Sequence, residues 1–175
     1  MNFAEYNVKD ANLEEVLLAL KSLDTVEAVA LGGSRSTGAS DENSDYDIYV
    51  YCAEIPTAET RENLLEKYCS IAEFGNHYWE SEDNTVMNNG VPVDIIYREF
   101  DRFGRYIDTV IKGGKAFNGY TTAFWHNIKN SKVLFDKTGT FTKFRDMAQI
   151  DFPENLRSAI IKNNRNLLNG KLPSY

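Results

Sequence analysis

Apolar residues recur along this chain with two periods. Leu13, Val16, Leu17, Leu20 and Leu23 fall on one face of a helix. Asn12, with Glu15 three residues on, predicts its N-cap and capping box. Val26 to Leu31 is an apolar run of strand length, interrupted only by Glu27 and expected to be buried. Asp45 to Tyr51 alternates instead: Asp45, Asp47, Tyr49 and Tyr51 share one face, and Tyr46, Ile48 and Val50 the other. Ile55 and Pro56 end that strand. Thr57 then caps a helix predicted to run to about Ala72, with Leu64, Leu65, Tyr68 and Ile71 on one face.

A short strand is expected from Gly75 to Ser81. Two more, Asn84 to Met87 and Val91 to Tyr97, flank the turn signal Asn88-Asn89-Gly90. Pro92 cannot donate a ladder hydrogen bond and belongs at a strand start or an edge. Phe100, Phe103, Ile107, Val110 and Ile111 mark a helix that Gly113 and Gly114 stop. Tyr120 to Ile128 reads as a short aromatic-rich helix and Lys132 to Phe135 as an edge strand. Helices follow at Phe141 to Gln149 and Pro153 to Leu168, with Pro153 near the first turn and Gly170 as C-cap. Residues 1–11 carry no periodicity. The fold class is therefore mixed α/β, a small twisted sheet with helices packed mainly on one face.

The chain has 175 residues, of which 42% are hydrophobic, enough for one domain, or one domain with an appendage, around its own core. The formal charge of −7 argues against extended nucleic acid as a partner, which asks for a basic face. It leaves room for a single nucleotide, because metal ions neutralise a triphosphate locally. There is no signal peptide and no apolar run of membrane-spanning length. Cys52 on a strand and Cys69 in the helix after Thr57 form neither CxxC nor zinc spacing. These features point to a cytoplasmic, membrane-free protein.

The candidate chemistry lies between the first two strands. Gly32, Gly33, Ser34 and Arg35 make a turn whose free backbone N–H groups suit a phosphate. Asp45 and Asp47 lie two apart on one strand face, roughly 7 Å from each other, so both carboxylates can converge on a divalent cation. Three rival motifs fail on the letters. A P-loop would need lysine where Ala39 stands. An EF-hand loop counted from Asp41 would need glycine at Tyr46 and glutamate at Cys52. A nucleophile elbow would need glycine at Ser36. The bland alternative is a polar loop followed by an amphipathic strand with solvated acids.

An apolar residue, Gly32-Gly33-Ser34, a spacer, then Asp45 and Asp47 resembles the signature of the nucleotidyltransferase superfamily, which includes DNA polymerase β and the small bacterial aminoglycoside and lincosamide nucleotidyltransferases. Arg35 fits a Gly-Ser-Arg variant of it. Asp94, in the run Val91 to Tyr97, matches the family's third acid on a later strand. The resemblance implies a nucleotidyltransferase domain over residues 1–137 and a short helical C-terminal segment over 138–175, either a minimal member or a truncated helical domain. It implies that Asp45, Asp47 and Asp94 are the catalytic acids and hold two Mg²⁺ ions, while Gly32, Gly33, Ser34 and Arg35 bind an NTP. The implied reaction moves a nucleoside monophosphate onto a hydroxyl of a small-molecule, antibiotic-like acceptor and releases pyrophosphate. Asp94 next to the acceptor is the candidate base, with Glu80 in reserve. The alternative is an antitoxin-type or nucleotide-binding module of the same fold that acts on a protein partner.

Other residues carry a bland reading beside a functional one. His77 and His126 read as surface or satisfied core histidines, though either could be a base. Glu80, Glu82 and Asp83 read as a solvated turn. Trp79, Trp125, Tyr78, Tyr120 and Phe124 read as core, with stacking on a ligand ring as the alternative. Arg35 is either a surface residue or a bidentate clamp on phosphate oxygens. Leu156, Ile160, Ile161, Leu167 and Leu168 lie on a terminal helix with no later domain to cover them, which leads us to expect a homodimer or a helical partner chain.

Overall fold

A computed structural model describes residues 10–41, 44–117 and 121–168. Among these residues six strands form one sheet in the order β3-β4-β5-β2-β1-β6. They are β1 (Val26–Leu31), β2 (Tyr46–Cys52), β3 (Cys69–Asn76), β4 (Ser81–Met87), β5 (Pro92–Glu99) and β6 (Lys132–Asp136). All neighbours run antiparallel except β2 and β5, which are parallel. The three strands expected to carry the site are therefore adjacent at the centre of the sheet. The helices are α1 (Ala11–Lys21), α2 (Gly33–Thr37), α3 (Ala58–Leu65), α4 (Phe100–Ile111), α5 (Ala123–Asn130), α6 (Thr140–Met147) and α7 (Glu154–Leu168). Among the described residues no helix is long and apolar enough to cross a membrane.

Helices cover both faces of the sheet, not mainly one. On the first face Leu13, Leu17 and Leu20 of α1 and Leu65 of α3 pack on Val29, Ile48, Val50 and Ile95. On the second, Phe103 and Ile107 of α4, Trp125 of α5, Phe141 of α6 and Leu156 of α7 pack on Ala28, Ala30 and Tyr51. The physical reason is in β1. Every second residue of a strand faces the same side, and from Ala28 to Leu31 this strand is apolar on both sides. The alanines on the second side leave room for the aromatic rings of α4, α5 and α6. Tyr51 meets Phe141 at 4.4 Å and Phe103 at 5.4 Å between ring centroids.

Two helix boundaries differ from the sequence reading. Asp10, not Asn12, caps α1: its carboxylate accepts from the Asn12 N–H at 3.0 Å and the Leu13 N–H at 3.3 Å. A carboxylate at that position also favours the positive end of the helix dipole. Thr57 does cap α3, accepting from the Thr60 N–H at 3.2 Å, but the helix ends at Leu65 rather than near Ala72. After one turn of 3₁₀ helix the chain becomes β3, which pairs along β4 from Cys69↔Met87 to Asn76↔Glu82. Cys69 is thus a strand residue, and β3 replaces the short strand expected from Gly75 to Ser81. Tertiary pairing overrides a helical spacing of apolar residues here: Ile71, assigned to that helical stripe, is 67% exposed on the edge strand. The hairpin turn at Asn88–Gly90 and the edge strand β6 form as expected. Tyr120 and the Gly170 cap lie outside the described residues.

Glu80, Glu82 and Asp83 are not a solvated turn. Glu82 and Asp83 belong to β4, and Asp83 is fully buried beside Arg61 of α3. The Arg61 Nη2 to Asp83 Oδ1 distance is 3.1 Å, and Gly75 donates its N–H to the same carboxylate at 2.9 Å. The pair ties α3 and β3 to β4. Removing one partner of a buried pair leaves an uncompensated charge, so Arg61→Ala is expected to destabilise the fold by about 3–5 kcal/mol. Arg61→Met combined with Asp83→Leu is expected to recover most of that loss. Urea unfolding of the two variants checks both outcomes.

Candidate active site

The site begins where β1 ends. The Gly32 N–H donates to the Asp47 carbonyl at 2.8 Å, which fixes the start of the turn onto β2. Gly33 follows with a φ of 58°, in the left-handed region that favours glycine. A Cβ on Gly33 would fall inside the Asp47 carboxylate, and one on Gly32 would strike the ring of Tyr49. Both glycines are thus required by close approach, and Gly33 by its dihedral as well. The short helix α2 then carries Ser34, whose carbonyl accepts from the Ala39 N–H at 3.1 Å and the Thr37 hydroxyl at 3.1 Å.

Asp47 and Asp94 are register partners on the parallel pair β2 and β5. Neighbouring strands lie about 4.8 Å apart, and partners in register point to the same face. Asp94 also receives the Asn84 amide at 2.9 Å, which orients its carboxyl. Asp45 stands just before β2. The Asp47 carboxyl is pushed up to about 6, first by burial and then by the charges of Asp45 and Asp94. Asp47 therefore feels the negative charge of both other acids. Among the described residues, however, no three His, Cys, Asp or Glu side chains are gathered at metal-ligand spacing. Strand register fixes Asp47 and Asp94 on one face, while side-chain rotation sets the spacing of their oxygens. Hard carboxylate oxygens crowded in this way suit a cation such as Mg²⁺.

Arg35 is placed differently from the phosphate clamp expected of it. Its Nε donates to the Asp45 carbonyl at 2.9 Å and the Ser44 carbonyl at 3.0 Å, and Nη2 also donates to Ser44. The guanidinium lies over the Tyr46 ring, 4.0 Å from its centroid. Here Arg35 ties α2 to the segment that carries Asp45. Glu80 is not near the acids: it forms a bidentate pair with Arg98, 2.7 Å on each arm. Arg98 lies four positions beyond Asp94 along β5.

Three polar residues of α5 were not singled out as a group by the sequence. His126, Asn127 and Asn130 face Gly33, Ser34, Ser36 and Thr37 across an open cleft of about 560 Å³. Asn127 Oδ1 is buried and has no hydrogen-bond partner among the described residues. The spacing of His126 and Asn130, four apart on a helix whose Trp125 and Ile128 are buried, was the available signal. His126 is exposed, in line with its bland reading. Trp125 is core, whereas Tyr78 and Trp79 are 76% and 79% exposed.

No curated protein matches this sequence. Among solved structures, the chain is similar to a toxin–antitoxin crystallised with AMP-PNP, at 16% identity over 90% of this chain and 95% of that one, with a TM-score of 0.46. A mutant toxin–antitoxin MntA–HpeT structure shares 14% identity over 92% and 98%, again with a TM-score of 0.46. The structure of Cid1 with its short product ApU shares 17% identity over 64% of this chain and 41% of that one, at a TM-score of 0.39. The sequence model of the nucleotidyltransferase domain matches residues 13–117, which hold the glycine turn, Asp45, Asp47 and Asp94, and with that match the chain belongs to the nucleotidyltransferase family of enzymes.

Proposed function

We propose that this enzyme transfers a nucleoside monophosphate from an NTP to a hydroxyl on a small-molecule acceptor and releases pyrophosphate. The observation that carries this reading is the fit of Gly33 against Asp47. A turn that lets backbone approach a phosphate abuts a carboxylate that needs a cation. The cleft between that turn and α5 offers a seat for the nucleotide, with Ser34 and the Gly33 N–H toward its phosphates.

Asp45 and Asp47 would hold the cation on the triphosphate, and Asp94 would share a second one beside the acceptor. When bound, Mg²⁺ neutralises the phosphate charge and makes a hydroxyl easier to deprotonate. Asp94, oriented by Asn84, takes the proton of the attacking hydroxyl in this reading. Arg35 acts by holding the Ser44–Asp45 segment in place, which keeps Asp45 beside Asp47.

A second reading has a protein as partner or acceptor, as in an antitoxin-type module. It is favoured by exposed apolar side chains on the C-terminal helices and the loop between them: Met147 is 54% exposed, Phe152 42% and Ile161 62%. Incubating the protein with Mg²⁺, labelled ATP and a panel of acceptors that includes proteins separates the two readings. Pyrophosphate release that depends on small hydroxyl compounds supports the first; label appearing only on protein supports the second.

The acids separate under mutation. Asp47→Asn is expected to lose both Mg²⁺-dependent NTP binding and turnover, whereas Asp94→Asn keeps NTP affinity and loses about 10²–10⁴-fold in turnover. Calorimetry and pyrophosphate release check this, and wild-type turnover by Asp94→Asn would remove Asp94 from the reaction. Gly33→Ala is expected to displace Asp47 and to weaken MgATP binding at least about tenfold; unchanged affinity in the folded variant contradicts the role given to the turn.

The crowding of Asp47 has a consequence for stability. Its carboxyl is raised from 3.8 to about 6 in the folded protein, so the folded state holds that proton more tightly than the unfolded chain. Stability from this group therefore falls as pH rises from about 4 to about 6 and stays reduced above that. In Mg²⁺-free buffer at pH 8, Asp47→Asn is expected to melt at a higher temperature than wild type, and the difference should vanish near pH 3.5. Equal melting temperatures at both pH values would show that the crowding costs nothing.

A further inference from the structure

Arg98 lies on β5, on the same face of the sheet as Asp94, with only 4% of its surface exposed. Glu80 takes two of its nitrogens, and its Nη1 donates to the Tyr51 hydroxyl at 3.2 Å. Its guanidinium also lies over the Tyr49 ring, 4.4 Å from the centroid, and over Phe103 at 4.5 Å. Tyr49 is two residues from Asp47 on β2, and its ring fills the space that a Cβ on Gly32 would need. One chain of contacts thus runs from Glu80 through Arg98 and Tyr49 to Gly32. That residue starts the turn, and its N–H is held by Asp47.

We propose that Arg98 is a positioning residue for the active site: stacked on Tyr49, it fixes that ring against Gly32 and so sets the Gly32–Gly33 turn against Asp47. The proposal rests on the reading of that turn as the phosphate seat. A buried arginine with every arm occupied has one orientation. Its planar face gives Tyr49 one orientation too. Lysine in its place would keep a positive charge for Glu80 but present no plane to the ring. The hydroxyl of Tyr49 plays no part in the contact with Gly32, which is made by ring carbons.

The experiment compares Tyr49→Phe, Tyr49→Leu, Arg98→Lys and the Tyr49→Leu/Arg98→Lys double variant. The first readout is amide hydrogen exchange at Gly32 to Ser36, which does not depend on turnover. Tyr49→Leu and Arg98→Lys are expected to speed exchange there at least about tenfold while the β4 and β5 amides keep their protection. Tyr49→Phe is expected to restore wild-type exchange. In the double variant the effect should be no larger than in either single one, because both act through one contact. The second readout is kinetic: KM for the NTP rises in Tyr49→Leu and Arg98→Lys, and KM for the acceptor does not. Unchanged exchange at the turn in Tyr49→Leu overturns the proposal, as does uniform loss of protection across the sheet in Arg98→Lys together with wild-type exchange in Tyr49→Leu. Altered exchange at the turn with unaltered NTP affinity upholds the contact and instead refutes the turn as the phosphate seat. An inactive wild type leaves the exchange result to decide the positioning role.

Discussion

The site depends on one steric fact: the Asp47 carboxylate occupies the space that a side chain on residue 33 would need. Everything else holds that apposition in place. The parallel pairing of β2 and β5 puts Asp94 in register with Asp47, and the Gly32 N–H ties the turn to the Asp47 backbone. Arg35 anchors the segment carrying Asp45 from the other side. The cost is visible in the raised Asp47 carboxyl. A fold that crowds acids without neutralising them gives up stability for function, and the rest of the sheet must compensate.

That compensation comes from two cores on opposite faces. The aliphatic core under α1 and α3 uses Leu13, Leu17, Ile48 and Ile95. The aromatic core under α4, α5 and α6 rests on the small residues Ala28 and Ala30. The second core also bounds the cleft, since α5 presents Trp125 and Ile128 inward and His126 and Asn130 toward the glycine turn. Packing and site are thus built from one helix with two faces.

The central strands were legible because their signals were local. Val26 to Leu31 is apolar but for Glu27, Asp45 to Tyr51 alternates, and Asn88 to Gly90 marks a tight turn. The glycine turn and the acid pair were legible for the same reason, as residue types whose spacing chemistry restricts. The features that escaped depend on contacts distant in sequence. Cys69 to Ala72 continues the helical apolar spacing of Leu64, Leu65 and Tyr68, and only its pairing with β4 makes it a strand. Asp83 reads as one of three surface acids until Arg61, from another element, is brought beside it. Arg35 and Arg98 were ambiguous or silent because a guanidinium pairs with whatever the fold delivers. The apolar run of β1 did carry the information that both faces are covered; its consequence for the helices was missed.

We propose that the Gly32–Ser34 turn and the acids Asp47 and Asp94 form one nucleotide and cation seat. Paramagnetic Mn²⁺, titrated with a non-hydrolysable NTP into ¹⁵N-labelled protein, tests it most directly. Broadening is expected to centre on the amides of Gly33, Ser34, Asp47 and Asp94 and to be absent when Asp47 is replaced by asparagine. Broadening centred elsewhere, or unchanged by that replacement, would contradict it.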